Sequence, residues 1–155
     1  MKGNPQLIEK LNSLLSDELT AINQYMVHSE MCSNWGYEKI HKVDEKRAID
    51  EMKHAEKLIA RILFLEGIPM VSNLKKITIG SEVAAQHRND LGAEHDAIVS
   101  YNDAIKIASE CGDNGTRDLL VSILKDEEEH LDWLEAQLEQ IAQMGIQNYL
   151  ADKLG

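Results

Sequence analysis

Apolar residues recur along most of this chain at spacings of three and four, the interval that brings side chains onto one face of an α-helix. The first stripe reads Ile8, Leu11, Leu15, Glu18, Ile22, Tyr25, Ser29, Cys32, and the second Ala48, Glu51, Ala55, Leu58, Ile62, Leu65. The third reads Ala84, His87, Leu91, Glu94, Ile98, Tyr101, Ile105, Ala108, and the fourth Leu120, Leu124, Glu127, Leu131, Leu134, Leu138, Ile141. Each stripe is interrupted once by a glutamate on the face that must turn inward. Breakers set the bounds: Asn4-Pro5 as cap and first-turn proline, the turn at Asn34-Trp35-Gly36, Gly67 and Pro69, Ser81 as an N-cap, the segment GDNG at 112–115, and Gly145. The pattern predicts helices over 5–33, 37–66, 82–111 and 116–144, with a short fifth at 146–153.

The four stripes predict an all-α fold, and 155 residues is the length of a single domain spanning 1–155. Residues 67–80 are too many for a tight turn between antiparallel helices. Extended at about 3.3 Å per residue they reach about 46 Å, against about 42 Å for a 28-residue helix. The second and third helices are therefore expected to run parallel, in a four-helix bundle with one long crossover loop.

A shift of 76 positions carries Glu18 onto Glu94, Tyr25 onto Tyr101, Glu51 onto Glu127 and His54 onto His130, along with Leu15 onto Leu91, Ile22 onto Ile98, Asp50 onto Asp126 and Leu58 onto Leu134. The chain reads as two related helical hairpins. One Glu-x-x-His arises easily in a chain that is 28% charged. Two of them, in register with a second pair of inward glutamates, point to a shared site.

Four buried carboxylates cannot stay ionised in a low-dielectric core without compensation. Two divalent cations supply it, with neutral imidazoles from His54 and His130 completing the coordination. Glu51 and Glu127 are the expected bridges, Glu18 and His54 serving one metal and Glu94 and His130 the other. The lack of thiolate ligands favours iron or manganese over structural zinc, and iron is the expectation. Two ferrous ions side by side can give two electrons to one dioxygen, so the simplest reaction is ferrous oxidation. Two glutamates plus two Glu-x-x-His pairs is the ligand pattern of ferritin-like carboxylate bundles.

Composition narrows the partners. Sixteen Lys and Arg against 27 Asp and Glu give a formal charge of -11, which repels nucleic acid. Cys32 and Cys111 form no CxxC, the N-terminus has no apolar leader and no run is long enough to span a membrane, so a cytoplasmic protein is expected. Tyr25 and Tyr101 lie two turns from a lone glutamate, placed to bond a ligand, supply an electron or simply pack. His28, His41, His87 and His95 read as surface or seam-edge histidines, and Asp50 and Asp126 as a charged outer face or a point of iron passage. Met52, with Ile59 and Leu63, forms an apolar stripe beside the seam that calls for a partner. Across a two-fold axis two Met52 thioethers can ligate a haem iron from both sides.

The stretches LSDELTAINQY at 15–25, IDEMKHAEKLIARILFLEGIP at 49–69 and LKDEEEHLDWLEAQL at 124–138 resemble those of the bacterioferritins, and the resemblance covers essentially the whole chain. It implies a ferroxidase storing ferric mineral in a 24-subunit homo-oligomeric shell built from two-fold dimers. It also implies a b-type haem shared between two subunits on Met52, and a small redox donor such as a ferredoxin. Glu18, Glu51, His54, Glu94, Glu127 and His130 then fall on the ferroxidase ligands and Tyr25 on the family's redox-active tyrosine. Lys46 stands where some members carry a histidine for an accessory inner-wall iron site, which puts that site in doubt here. Other readings differ in product or class: a di-iron or di-manganese peroxidase or catalase, a DNA-protecting ferritin relative, or a purely structural module.

Overall fold

The computed structural model describes residues 1–155 as five helices: α1 (Pro5–Trp35), α2 (Glu38–Phe64), α3 (Val83–Glu110), α4 (Asn114–Met144) and α5 (Ile146–Ala151). Asn4 caps α1 as expected, its side chain accepting from the amides of Gln6 and Leu7, with Pro5 in the first turn. Gly36 closes that helix in the left-handed conformation at φ 85°, which lets its amide reach back to Cys32 and Ser33.

Several helix bounds differ from the sequence reading by one or two residues. Helix α2 ends at Phe64, two residues before the expected bound, and Glu66 beyond it takes the left-handed conformation (φ 62°), so the stop does not draw on the conformational freedom of Gly67. Gly67 is required for space instead, since a Cβ there would lie 2.7 Å from Ile8 Cγ2. Ser81 does not cap α3; Glu82 occupies that position, with no side-chain bond to the helix amides. The fourth helix begins two residues early because Asp113 accepts from the Thr116 amide and fixes the first turn at Asn114.

The crossover does traverse the bundle. Asn12 bonds Ile68 and Met70, Thr20 bonds Lys75, Gln24 bonds Thr78 and His28 bonds Gly80, so segment 65–82 advances along α1 from its start to its end. Gly3 meets Leu65 at the close of α2, while Cys32 near the end of α1 meets Gln86 at the start of α3. Both α2 and α3 therefore run antiparallel to α1 and parallel to each other.

The interior is divided along its length. Leu7, Leu11, Leu14 and Leu15 of α1 pack with Leu58, Ile62 and Leu65 of α2, Ala104 and Ala108 of α3, and Leu120 and Ile123 of α4, forming the main apolar core at one end. Cys32, Ile40, Val83 and Tyr149 make a small apolar plug at the other. Tyr149 belongs to α5, so the short helix seals that end. Between the two lie the four glutamates and then a buried polar layer.

The candidate metal centre

Glu18, Glu51, His54, Glu94, Glu127 and His130 are all buried. Each sits one or two turns beyond the apolar core on its own helix, so the packing that fixes the helix axes also fixes the carboxylates. Two groups of ligand atoms converge: Glu18, Glu51, His54 and Glu127 in one, and Glu51, Glu94, Glu127 and His130 in the other, with all atoms of a group within 4.8 Å of one another. Glu51 and Glu127 belong to both, as the repeat requires of bridges. Each group takes three side chains from one hairpin and one from the other.

Seven of the ten buried side-chain atoms without a hydrogen-bond partner come from these six residues: Glu18 Oε2, Glu51 Oε1, His54 Nδ1, Glu94 Oε2, both Glu127 oxygens and His130 Nδ1. Buried polar atoms are nearly always paired, so such a concentration makes these six residues the candidate ligand set. His54 Nδ1 lies 2.9 Å from Glu127 and His130 Nδ1 3.2 Å from Glu51, near but not aligned as hydrogen bonds. The rings are 6.5 Å apart and inclined by 29°. Oxygen and imidazole donors without sulfur suit ferrous iron.

Burial and mutual repulsion displace the ionisation of these groups. Burial, compounded by the charges of Glu18 and Glu127, raises Glu51 well above the carboxylate range. Burial with Glu18 and Glu94 does the same to Glu127. Burial opposes the charging of His54, but contacts with Glu127 and Glu18 prevail and push it up to about 11. For Glu94 burial acts upward, yet the close approach of Glu127 and His130 and the hydrogen bond from Tyr25 hold it below its ordinary value.

The far nitrogens reveal partners that the sequence reading placed on an outer face. His54 Nε2 is 2.8 Å from Asp126 Oδ2, and His130 Nε2 is 3.4 Å from Asp50 Oδ2. The aspartate before each bridging glutamate thus steers the other hairpin's histidine, leaving Nδ1 turned toward the site. The equivalence of Asp50 and Asp126 in the repeat was the available signal. Lys46 Nζ also reaches Asp50, at 3.3 Å.

Tyr25 donates to Glu94 and Tyr101 to Glu18, each crossing to the opposite hairpin rather than serving the glutamate on its own helix. Burial first, and then those carboxylates, raise both phenols well above their ordinary value, so both remain donors.

Two of the four remaining histidines are not surface residues. His28 is fully buried, its Nδ1 2.9 Å from Asp90 and its Nε2 accepting from the Gly80 amide. The Gly80 bond places the ring proton on Nδ1, where it is donated to Asp90. His87 is buried against Tyr149 and Trp133, and burial lowers it to about 4. Gln24, Asp44, Gln86, Asp90 and Gln137 join them in the polar layer. His95 is exposed and His41 half-buried, as expected.

Met52 is 44% exposed, beside Ile49 at 44%, with Leu63 at 58% further along α2. Ile59 departs from the expected exposed stripe, being half-buried against the main core.

An all-helical bundle with paired Glu/His clusters is a ferritin-like protein, and the family model for the ferritin-like domain matches residues 8–144. The chain is 41% identical over 149 residues to a bacterioferritin of Brucella melitensis, covering 96% of this chain and 92% of that protein. It is 42% identical over 149 residues to one of Rhodobacter capsulatus, with the same coverage. A bacterial ferritin of Synechocystis is 41% identical over 155 residues, covering 99% of both chains. The chain belongs to the bacterioferritin family.

Proposed function

We propose that this protein is an iron-storage ferroxidase. Two ferrous ions are its substrate at the centre formed by Glu18, Glu51, His54, Glu94, Glu127 and His130. The supporting observation is the convergence of seven unpartnered atoms from exactly these side chains into two groups sharing Glu51 and Glu127. Each ferrous ion gives up one electron; one dioxygen takes both, together with two protons, and leaves as hydrogen peroxide. Protons held by Glu51 and Glu127 are displaced as the cations bind. Asp50 and Asp126 keep the histidine rings in place, while Tyr25 and Tyr101 fix the terminal carboxylates. By family, Tyr25 is also the candidate electron donor.

Storage rests on assembly. The family and the exposed apolar residues Met52, Leu63 and Phe64 of α2 and Ile68, Met70 and Leu74 of the crossover support a homo-oligomeric shell, which we take to be the 24-subunit one. Met52, an exposed thioether next to an exposed isoleucine, fits one axial ligand of a b-type haem shared with a second subunit. That group would carry electrons from a small redox donor such as a ferredoxin to the mineral. No helix is long and apolar enough to cross a membrane.

Anaerobic titration with Fe(II), followed by exposure to air, tests the reading. Two ions per chain should bind and oxidise, and Glu51→Ala should abolish the rapid phase. An unchanged rapid phase in that variant would remove the ferroxidase assignment, and elution of the native protein as a dimer would remove the shell.

A further inference from the structure

The six-residue centre opens to the surface through a narrow cleft of about 120 Å³ between α1, α3 and the crossover. Ala21, Ala93 and Ala97 keep the walls open, and all four glutamates are reached from it. At its rim stand Asp17, the neighbour of Glu18, and Lys75 of the crossover, joined as an ion pair.

Lys75 is held in that position by its backbone. Its amide donates to Thr20 Oγ1 at 2.8 Å, Thr20 donates to Ser16 O at 2.7 Å, and Ser16 Oγ bonds Asn73 O. The crossover is thus strapped to the one turn of α1 that carries Glu18. The ammonium itself is freer, with its side chain 48% exposed and only long additional contacts to Ser13. Asp17 is 19% exposed, and its second oxygen, Oδ2, is buried with no hydrogen-bond partner. A cleft leading to a cation site therefore has at its entrance a carboxylate with one oxygen vacant and the other covered by a monovalent cation.

Building on the ferroxidase reading, we propose that Asp17 and Lys75 form a cation-exchange latch, in which an incoming divalent ion displaces the Lys75 ammonium from Asp17 before passing to Glu18. A half-exposed lysine pair is weak and exchangeable, and a divalent ion brings twice its charge to a carboxylate that already has an oxygen to spare. Displacement needs only rotation of the lysine side chain, because the strap holds the backbone. Lys75 thereby sets how readily cations enter, and Asp17, one residue before Glu18, receives them at the rim, which the exposed Asp96 also lines. Lys76 shares the rim but makes no ion pair with Asp17.

The test is anaerobic stopped-flow uptake of cobalt(II), which is redox-inert here and reports its coordination by visible absorbance. The intact assembly is used for the native protein and for Lys75→Met, Lys76→Met and Asp17→Asn. Lys75→Met should raise the second-order uptake rate about three- to fivefold while two cobalt ions per chain still bind. Lys76→Met should stay within about twofold of native, and Asp17→Asn should slow uptake several-fold. Equal rates for native and Lys75→Met, or equal acceleration by both lysine variants, would overturn the latch. Faster uptake by Asp17→Asn would overturn the transit role of Asp17. Failure of the native protein to bind two cobalt ions would instead overturn the ferroxidase centre on which the latch rests.

Discussion

The Tyr101 hydroxyl donates to Glu18 Oε1 at 2.6 Å, joining the third helix to the first across the interior. Its repeat mate Tyr25 makes the reciprocal bond to Glu94. The two phenols thus have the same immediate contact, and any redox role of Tyr25 must show as an asymmetry between them. Tyr25→Phe should slow ferrous oxidation well beyond Tyr101→Phe, with loss of any tyrosyl radical signal in freeze-quenched samples. Equal, modest slowing in both variants would reduce Tyr25 to a positioning residue.

Removing a bridge separates catalysis from stability. Glu127→Gln loses the anionic donor shared by both ligand groups, so ferrous oxidation should fall by more than about 100-fold. The metal-free variant should nevertheless melt above the metal-free native protein, because a buried amide needs neither ionisation nor the uptake of a proton that burial forces on Glu127. Calorimetry on protein stripped with a chelator checks the second half.

The histidine partners give a graded effect. Asp126 lies closer to His54 (2.8 Å) than Asp50 lies to His130 (3.4 Å), and Asp50 is also engaged by Lys46. Asp126→Asn should therefore weaken cobalt(II) binding by about 10- to 100-fold, and Asp50→Asn by less. Far-UV circular dichroism should be unchanged in both.

Stability should respond to pH in opposite ways with and without metal. Burial raises Glu51, Glu127, Asp44 and Asp90, so above about pH 4 the folded metal-free chain binds more protons than the unfolded chain. Its stability must fall as pH rises through this range, and His54, raised to about 11, adds to the trend above about pH 6.5. His87 acts oppositely: lowered to about 4, it loses stability as pH drops below about 6.5. Metal-free protein should melt lower at pH 8 than at pH 6. Saturation with zinc, which displaces protons from the carboxylates, should cancel or reverse that difference.

Haem binding has a spectroscopic readout. The native protein reconstituted with haem should give the low-spin spectrum of two thioether ligands, and Met52→Leu should abolish it while ferrous oxidation persists. Retention of the spectrum in the variant would move the ligand elsewhere.

The convergence of the six candidate ligands was legible in the sequence because each of them obeys two independent regularities. Glu18, Glu51, Glu94 and Glu127 sit on apolar stripes, and the 76-residue shift pairs them with one another and His54 with His130. What the sequence hid is set by contacts between distant segments. His28 looked unpartnered because its acid, Asp90, lies 62 positions away on another helix. Tyr25 stands two turns from Glu18 along its own helix yet bonds Glu94, since helix packing aims it across the bundle. Gln24 and Gln137 lie off the apolar stripes, and their burial is made tolerable by partners distant in sequence, Asp90 and the Thr78 amide for Gln24 and Tyr149 for Gln137. Asp50 and Asp126 are partly exposed, so hydrophobic pattern alone could not distinguish them from solvent-facing acids.

The three-plus-one sharing of ligands makes the cargo a dowel between halves joined covalently only through segment 65–82. A chain clipped in that segment would keep its pieces together while loaded and part more readily once emptied, so protease nicking becomes a gauge of occupancy.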